Sequence, residues 1–267
     1  MSLFKSAFLF LMLFPVYVSA KISPITQEDC QQMELSGVIT ENNPIPCYRL
    51  NVVNFKYIDL SGNKKMGEMV VLDIFSLQVE NIFNELLLAN FPIHKALPVE
   101  HYNGDDQASM RDNNSSAFNG RKITGASSWS KHAYGAAIDI NPVQNPFLGF
   151  GQSGVPYVLP VSGAEKYLNR IENRPGKEVR EGMAEKVIDI FLSNGFMRWG
   201  GYWDTPIDYQ HFEVGSVDFI EDLLKKPLSV AREEFKDYGD KYKACMKDAN
   251  QNDRDIIRVK CIEKNIR

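Results

Sequence analysis

Only four histidines, His94, His101, His132 and His211, occur in the 267 residues, and two of them stand among carboxylates. His132 lies in SKHAYGAAIDINP, where Gly135 permits a tight bend and Asp139 follows seven positions later on a β-like segment. That spacing brings an imidazole and a carboxylate to one point. His211 lies in DYQHFE, with Asp208 three residues before it and Glu213 two after. In a strand, Glu213 shares a face with His211. Two histidines and one carboxylate, with a fourth position left for water, have the composition of a catalytic rather than a structural zinc site. The oxygen-only ligands that calcium prefers fit less well. Hydrolysis at such a metal also needs a base to take a proton from water and a positive group to compensate the oxyanion. Asp208 and Arg121 are the candidates for these two tasks.

Each residue also has an ordinary role to weigh. A lone histidine is more often a hydrogen-bonded surface or core residue than a ligand. Asp139 can cap or turn the chain ahead of Pro142, and an isolated Arg121 is most often a solvated charge. Trp199 and Trp203 are read as core residues, and His94 and His101 are left with the ordinary role.

The elements that must position these residues follow from periodicity. The β-rich run from Arg49 to Phe75 is split by SGNK, whose composition suits a turn, so a hairpin is expected. SLQVENIFNELLLANF places Leu77, Ile82, Phe83, Leu86 and Leu87 near helical spacing, with Ser76 as its cap and Pro92 as its end. Residues 101–131 are polar and rich in Asn, Ser, Gly and Asp, the composition of an exposed loop. AAIDI reads as a short strand, MAEKVIDIFLSNG as a helix ending at Gly195, and YQHFEVG as a last strand after the WGGYW turn. Beyond it, residues 216–267 are charged and helical in pattern, interrupted by Pro227.

The first twenty residues have an early lysine, an apolar run from Ala7 to Val18, and small residues at Ser19 and Ala20. This is the grammar of a signal peptide cleaved after Ala20. The apolar run is shorter than the ~20 residues a membrane-spanning helix needs, so no stable membrane anchor is expected after its removal. Export implies an oxidising compartment, and Cys30 with Cys47 and Cys245 with Cys261 form two sequence-local pairs that suit disulfides. Four free buried thiols are the alternative. A net charge of −4 with no block of Lys or Arg disfavours a nucleic-acid partner. The segments therefore read as a signal peptide (1–20), an N-terminal extension with Cys30 and Cys47 (21–48), a main domain (49–215) and a helical C-terminal extension with Cys245 and Cys261 (216–267).

SKHAYGAAIDINP resembles the first signature, Ser-x-His-x-x-Gly-x-Ala-x-Asp, of the zinc D-alanyl-D-alanine carboxypeptidase and L-alanyl-D-glutamate endopeptidase family. RWGGYWDTPIDYQHFE resembles its second signature, and NNSSAFNGR is similar to the arginine-ended segment that precedes the first in many relatives. Joint agreement is far more specific than either signature alone. The resemblance implies that His132, Asp139 and His211 bind one zinc ion, that Asp208 is the general base and that Arg121 stabilises the oxyanion, with Arg111 as the substitute for Arg121. Ser130 and Glu213 become candidates for orienting the ligands. One departure stands out: many relatives carry Glu where this chain has Asp208.

The implied fold is α+β, a small antiparallel sheet carrying the single zinc site with helices packed on it. The implied activity is hydrolysis of the peptidoglycan stem peptide by an exported enzyme, periplasmic or secreted. An L-alanyl-D-glutamate endopeptidase is preferred over a D-alanyl-D-alanine carboxypeptidase, because WGG and DYQHF look closer to that branch. A zinc-containing binding module without catalysis is a further alternative, and so is a secreted toxin whose C-terminal extension meets a protein partner.

Overall fold

The computed structural model describes residues 21–123, 126–151 and 154–267. The signal-peptide reading falls on residues 1–20, outside the described residues. Strand β1 (Lys21–Pro24) leads into helix α1 (Gln27–Leu35), which Thr26 opens with a capping box shared with Asp29. The run with alternating apolar residues then forms β2 (Leu50–Ile58) and β3 (Lys64–Leu72), paired antiparallel from Leu50↔Leu72 to Ile58↔Lys64, as the SGNK turn predicts. β1 adds to the free edge of β2.

Helix α2 (Ser76–Leu88) lays Val79, Ile82, Phe83 and Leu86 on this sheet, and the Phe83 ring stacks on Phe55 with centroids 3.6 Å apart. Burying side chains of this size contributes about 1.5–3 kcal/mol each. Ser76 is not the cap. It is the first helical residue, and its hydroxyl donates to the Asp73 carbonyl while accepting from Asn51 Nδ2. Its buried position explains the difference, since an interior hydroxyl takes the partners nearest to hand.

The polar stretch 101–131 is an exposed loop only in part. After the short strand β4 (Lys95–Ala96) and helix α3 (Asp106–Arg111), the chain dives inward through β5 (Asn114–Ser115), and residues 113–120 are all buried. The amide side chains do the work of secondary structure there. Asn114 exchanges two 2.8 Å bonds with the Leu97 backbone, Asn113 Oδ1 accepts from Val143 N, and Ser115 Oγ accepts from Asn141 N. Polar composition thus signalled buried irregular backbone that needed partners rather than solvent.

The remaining strands are β6 (Ala137–Asp139), β7 (Phe147–Phe150), β8 (Pro156–Leu159), β9 (Arg198–Trp199), β10 (Ile207–Asp208) and β11 (His211–Glu213). In place of one small antiparallel sheet, the described residues form three of three strands each, ordered β1-β2-β3, β10-β7-β8 and β6-β11-β9, beside the parallel pair β4-β5. The helix expected before Gly195 is reduced to α4 (Ile188–Ser193), preceded by a 3-10 turn at Ala184–Lys186. Gly195 follows with φ of +89°, and a Cβ there would stand 2.5 Å from the Phe235 ring.

Helices α5 (Val217–Leu224), α6 (Leu228–Met246) and α7 (Arg254–Asn265) complete the chain, with Pro227 at the break between the first two. Phe235, Tyr238, Tyr242, Met246 and Cys261 join the same apolar cluster as Phe75, Phe196 and Phe212. Asp189 of α4 ties these helices down by accepting from the Tyr242 hydroxyl at 2.6 Å, Arg254 Nε at 2.6 Å and Arg258 Nε at 2.7 Å. Disulfides join Cys30 to Cys47 and Cys245 to Cys261, the second stapling α6 to α7. No helix among the described residues is long and apolar enough to cross a membrane.

Candidate metal centre

The central sheet brings the two sequence signatures together by register. β11 pairs antiparallel with β6 so that His211 stands opposite Asp139, Phe212 opposite Ile138 and Glu213 opposite Ala137. Side-chain alternation then puts His211, Glu213 and Asp139 on one face, while Phe212 and Ile138 enter the core. His132 arrives from the 3-10 turn Lys131–Tyr134, which closes at Gly135 with φ of +60°. A Cβ at Gly135 would lie 2.5 Å from the Leu72 backbone nitrogen, so the turn can press against β3 only with glycine there.

His132, Asp139 and His211 each offer one ligand atom, and these atoms lie within 4.8 Å of one another. His211 Nδ1 is 2.9 Å from Asp139 Oδ1 and 3.2 Å from His132 Nε2, and His132 Nε2 is 3.3 Å from Asp139 Oδ2. A tetrahedral zinc site with bonds of about 2.0–2.1 Å has edges of about 3.3 Å. The two nitrogens, 3.2 Å apart, are close to that edge length, and each faces a different oxygen of Asp139.

The outer nitrogens are already committed. His132 Nδ1 donates to the Ala117 carbonyl at 2.5 Å, which leaves Nε2 as the inward lone pair. His211 Nε2 donates to Glu213 Oε2 at 3.1 Å, which leaves Nδ1 inward. Outer partners of this kind fix the tautomer and orientation of histidines that hold a metal. The donor set and its orientation fit a single divalent ion.

Electrostatics support the same reading. Burial works against ionisation of Asp139, yet the two imidazoles outweigh it and hold its carboxyl well below the usual carboxylate range. Burial likewise pulls His211 down, but its bonds to Asp139 and Glu213 push it up to about 10. Glu213 is lowered to about 2, because His211 and Lys131 overcome its burial. Without metal, the imidazoles and carboxylates of the cluster stabilise one another's charged forms.

Asp208 sits on β10, facing Phe147 of β7 in the adjacent sheet. It is buried, its Oδ1 has no hydrogen-bond partner among the described residues, and burial together with the Asp139 charge raises its pKa to about 7. A carboxylate tuned to that range suits proton transfer near neutrality. Gly200 makes room for it, since a Cβ there would stand 2.9 Å from Asp208 Cβ and 2.5 Å from its carbonyl oxygen.

Other expected residues take different places. Ser130 Oγ accepts from His132 N at 3.3 Å, so it shapes the turn rather than touching a ligand side chain. Arg121 is paired with Asp106 at 2.9 Å and donates weakly to the Lys122 carbonyl, with no polar contact to the histidine cluster. Arg111 is half exposed and 3.7 Å from Asp105. His94 and His101 are exposed and outside the cluster.

Three residues escaped sequence reasoning. Trp203, read as core, is half-buried with its ring 5.4 Å from that of His211, so it walls the site, whereas Trp199 does fill the core. Lys131 and Arg198 both reach Glu213 Oε1, at 2.6 and 3.1 Å. Position next to a ligand was the one available signal for Lys131.

Residues 124–214 match the family model described as D-alanyl-D-alanine carboxypeptidase. The matched span contains His132, Asp139, Asp208, His211 and Glu213 and begins three residues after Arg121. No curated protein and no solved structure gives a match alongside it.

Proposed function

We propose that the chain, whose residues 124–214 match the family model described as D-alanyl-D-alanine carboxypeptidase, is an exported zinc peptidase acting on the peptidoglycan stem peptide. The observation that carries this reading is the inward convergence of His132 Nε2, Asp139 and His211 Nδ1 beside a buried Asp208 whose pKa lies near 7. The signal-like residues 1–20 and the two disulfides support export.

A zinc ion held there, one per chain, supplies Lewis acidity that makes water nucleophilic near neutral pH and polarises a carbonyl. The residues do the rest. Asp208 accepts the proton that water loses as its oxygen bonds to the carbonyl carbon. It then returns a proton to the amine as the C–N bond breaks. Asp208 has a shorter reach than the Glu of many relatives, and the close packing over Gly200 fixes where its carboxylate stands. Trp203 forms an apolar wall over His211, and Arg121 is the candidate for the developing negative charge, although it pairs with Asp106 rather than with the histidine cluster.

The preferred bond is that between L-alanine and D-glutamate. Removal of terminal D-alanine is the second reading, favoured by the description of the matching family. Mass spectrometry of stem peptides incubated with the protein separates them. On muropeptides, a cut that leaves L-alanine on the muramyl sugar and frees the D-glutamate peptide supports the endopeptidase, and loss of the C-terminal D-alanine with the muramyl end intact supports the carboxypeptidase. Metal uptake without any cut favours a binding module.

A further inference from the structure

Lys131 precedes one proposed metal ligand, His132, in sequence and grips the residue that orients another. Its ammonium lies 2.6 Å from Glu213 Oε1, while Glu213 Oε2 accepts from His211 Nε2 at 3.1 Å. All three side chains are nearly enclosed, at 11% exposure for Lys131 and 9% for Glu213 and His211. A lysine is rarely this enclosed unless it is paired. Arg198 reaches the same Glu213 oxygen at 3.1 Å but is 41% exposed, so water screens it.

We propose that Lys131 is a positioning residue for the metal centre. By holding Glu213 Oε1 it turns Oε2 toward His211 Nε2, and so commits His211 Nδ1 to the inward face. The 3-10 turn that delivers His132 therefore also sets the orientation of His211 on β11, and both histidines depend on one local structure. Without the ammonium, Glu213 is free to rotate toward Arg198 and solvent, and the His211 ring loses its fixed outer partner. This inference rests on the metal site proposed above, and not on which bond is cut.

The test is zinc affinity measured by chelator competition, with the visible spectrum of the cobalt-substituted protein, on Lys131→Met, Glu213→Gln and the double variant. Each single change is expected to weaken zinc about 10–100-fold, the range for losing a ligand's outer partner, and to alter the cobalt spectrum. If Lys131 acts through Glu213, the double variant binds no more weakly than Glu213→Gln alone, and Lys131→Arg restores most of the affinity. Arg198→Met is expected to cost less than Lys131→Met. Should Lys131→Met fold poorly, the double variant removes both charges and is compared with Glu213→Gln. Affinity of Lys131→Met within about twofold of the unaltered protein, or losses that multiply in the double variant, would overturn the inference. Zinc binding that depends on Lys131 in a protein that cuts no wall peptide would uphold it while sinking the peptidase reading.

Discussion

His211 and Asp139 are cross-strand partners, directly opposite one another on β11 and β6 with His211 Nδ1 2.9 Å from Asp139 Oδ1. The strongest contact within the metal cluster is therefore built by backbone register. A one-residue slip of β11 would send His211 and Glu213 into the core and Phe212 to the face that carries Asp139, so the buried apolar face protects the site geometry.

Metal binding is expected to release protons. Free of metal, His211 has its pKa pushed up to about 10, so at pH 7 both ring nitrogens carry hydrogen. A ligand must be neutral, so uptake near pH 7 displaces about one proton and weakens as pH falls. Calorimetry of zinc binding in buffers with different ionisation enthalpies reads this directly. A binding enthalpy independent of buffer would contradict it.

Asp208→Asn separates catalysis from stability. As general base, Asp208 works ionised, so activity should rise with pH, through a pKa that bound metal draws below the metal-free value of about 7, and the variant should lose about 10²–10⁴-fold in kcat while still taking up metal. Its raised pKa has the opposite effect on folding. The native state binds more protons than the unfolded one between about pH 4 and 7, so metal-free stability falls as pH rises through that window. At pH 8 the Asn variant should melt higher, by about 2–4 °C for each kcal/mol recovered. A variant that is less stable yet equally active would refute both halves.

Gly200→Ala is expected to be nearly as damaging as loss of Asp208 itself. The added methyl would meet the Asp208 carbonyl at 2.5 Å and its Cβ at 2.9 Å, so the base must move. Displacements of about 1 Å at a catalytic group cost on the order of 10²-fold. Metal affinity should survive, because the three ligands lie on β6, β11 and the His132 turn. Full activity in this variant would argue against Asp208 as the base.

Asp189 should govern how firmly the C-terminal helices are docked. Burial opposes its ionisation, but Arg258 and Tyr242 lower its pKa to about 2. A depressed acid contributes stability that is present above the unfolded value near 4 and is lost as pH falls toward 2, here about 2 kcal/mol. Asp189→Ala removes that and leaves buried Arg258 short of a partner, so a loss of about 3 kcal/mol in denaturant unfolding at pH 7 is expected. Unfolding within about 0.5 kcal/mol of the unaltered protein would mean that Asp189 contributes little to holding the helices.

Each half of the candidate metal cluster was legible in sequence because its spacing is local, whereas the joining of the two halves across 72 positions was implied by the resemblance alone. Asp139 follows His132 through one turn and one strand, and Glu213 lies two residues from His211 on the same strand face. Lys131, Trp203 and Gly200 were less legible, since their importance comes from neighbours that only the folded chain supplies. The buried segment 113–120 misled through its composition, because Asn and Ser serve irregular interior backbone as well as solvent. The docking of residues 216–267 through Asp189 was hidden by distance: Tyr242 and Arg258 lie 53 and 69 positions from it in sequence.

The most direct test joins metal content to cleavage. Purified mature protein and its His132→Ala, Asp139→Ala and His211→Ala variants would be assayed for bound zinc and for release of fragments from peptidoglycan, with and without chelator. One zinc per chain is expected in the unaltered protein, with metal and cleavage lost together in each variant and cleavage restored to the chelated protein by added zinc. Wall-peptide cleavage that persists in chelator, or in the His211→Ala variant, would contradict a metallopeptidase built on these three residues.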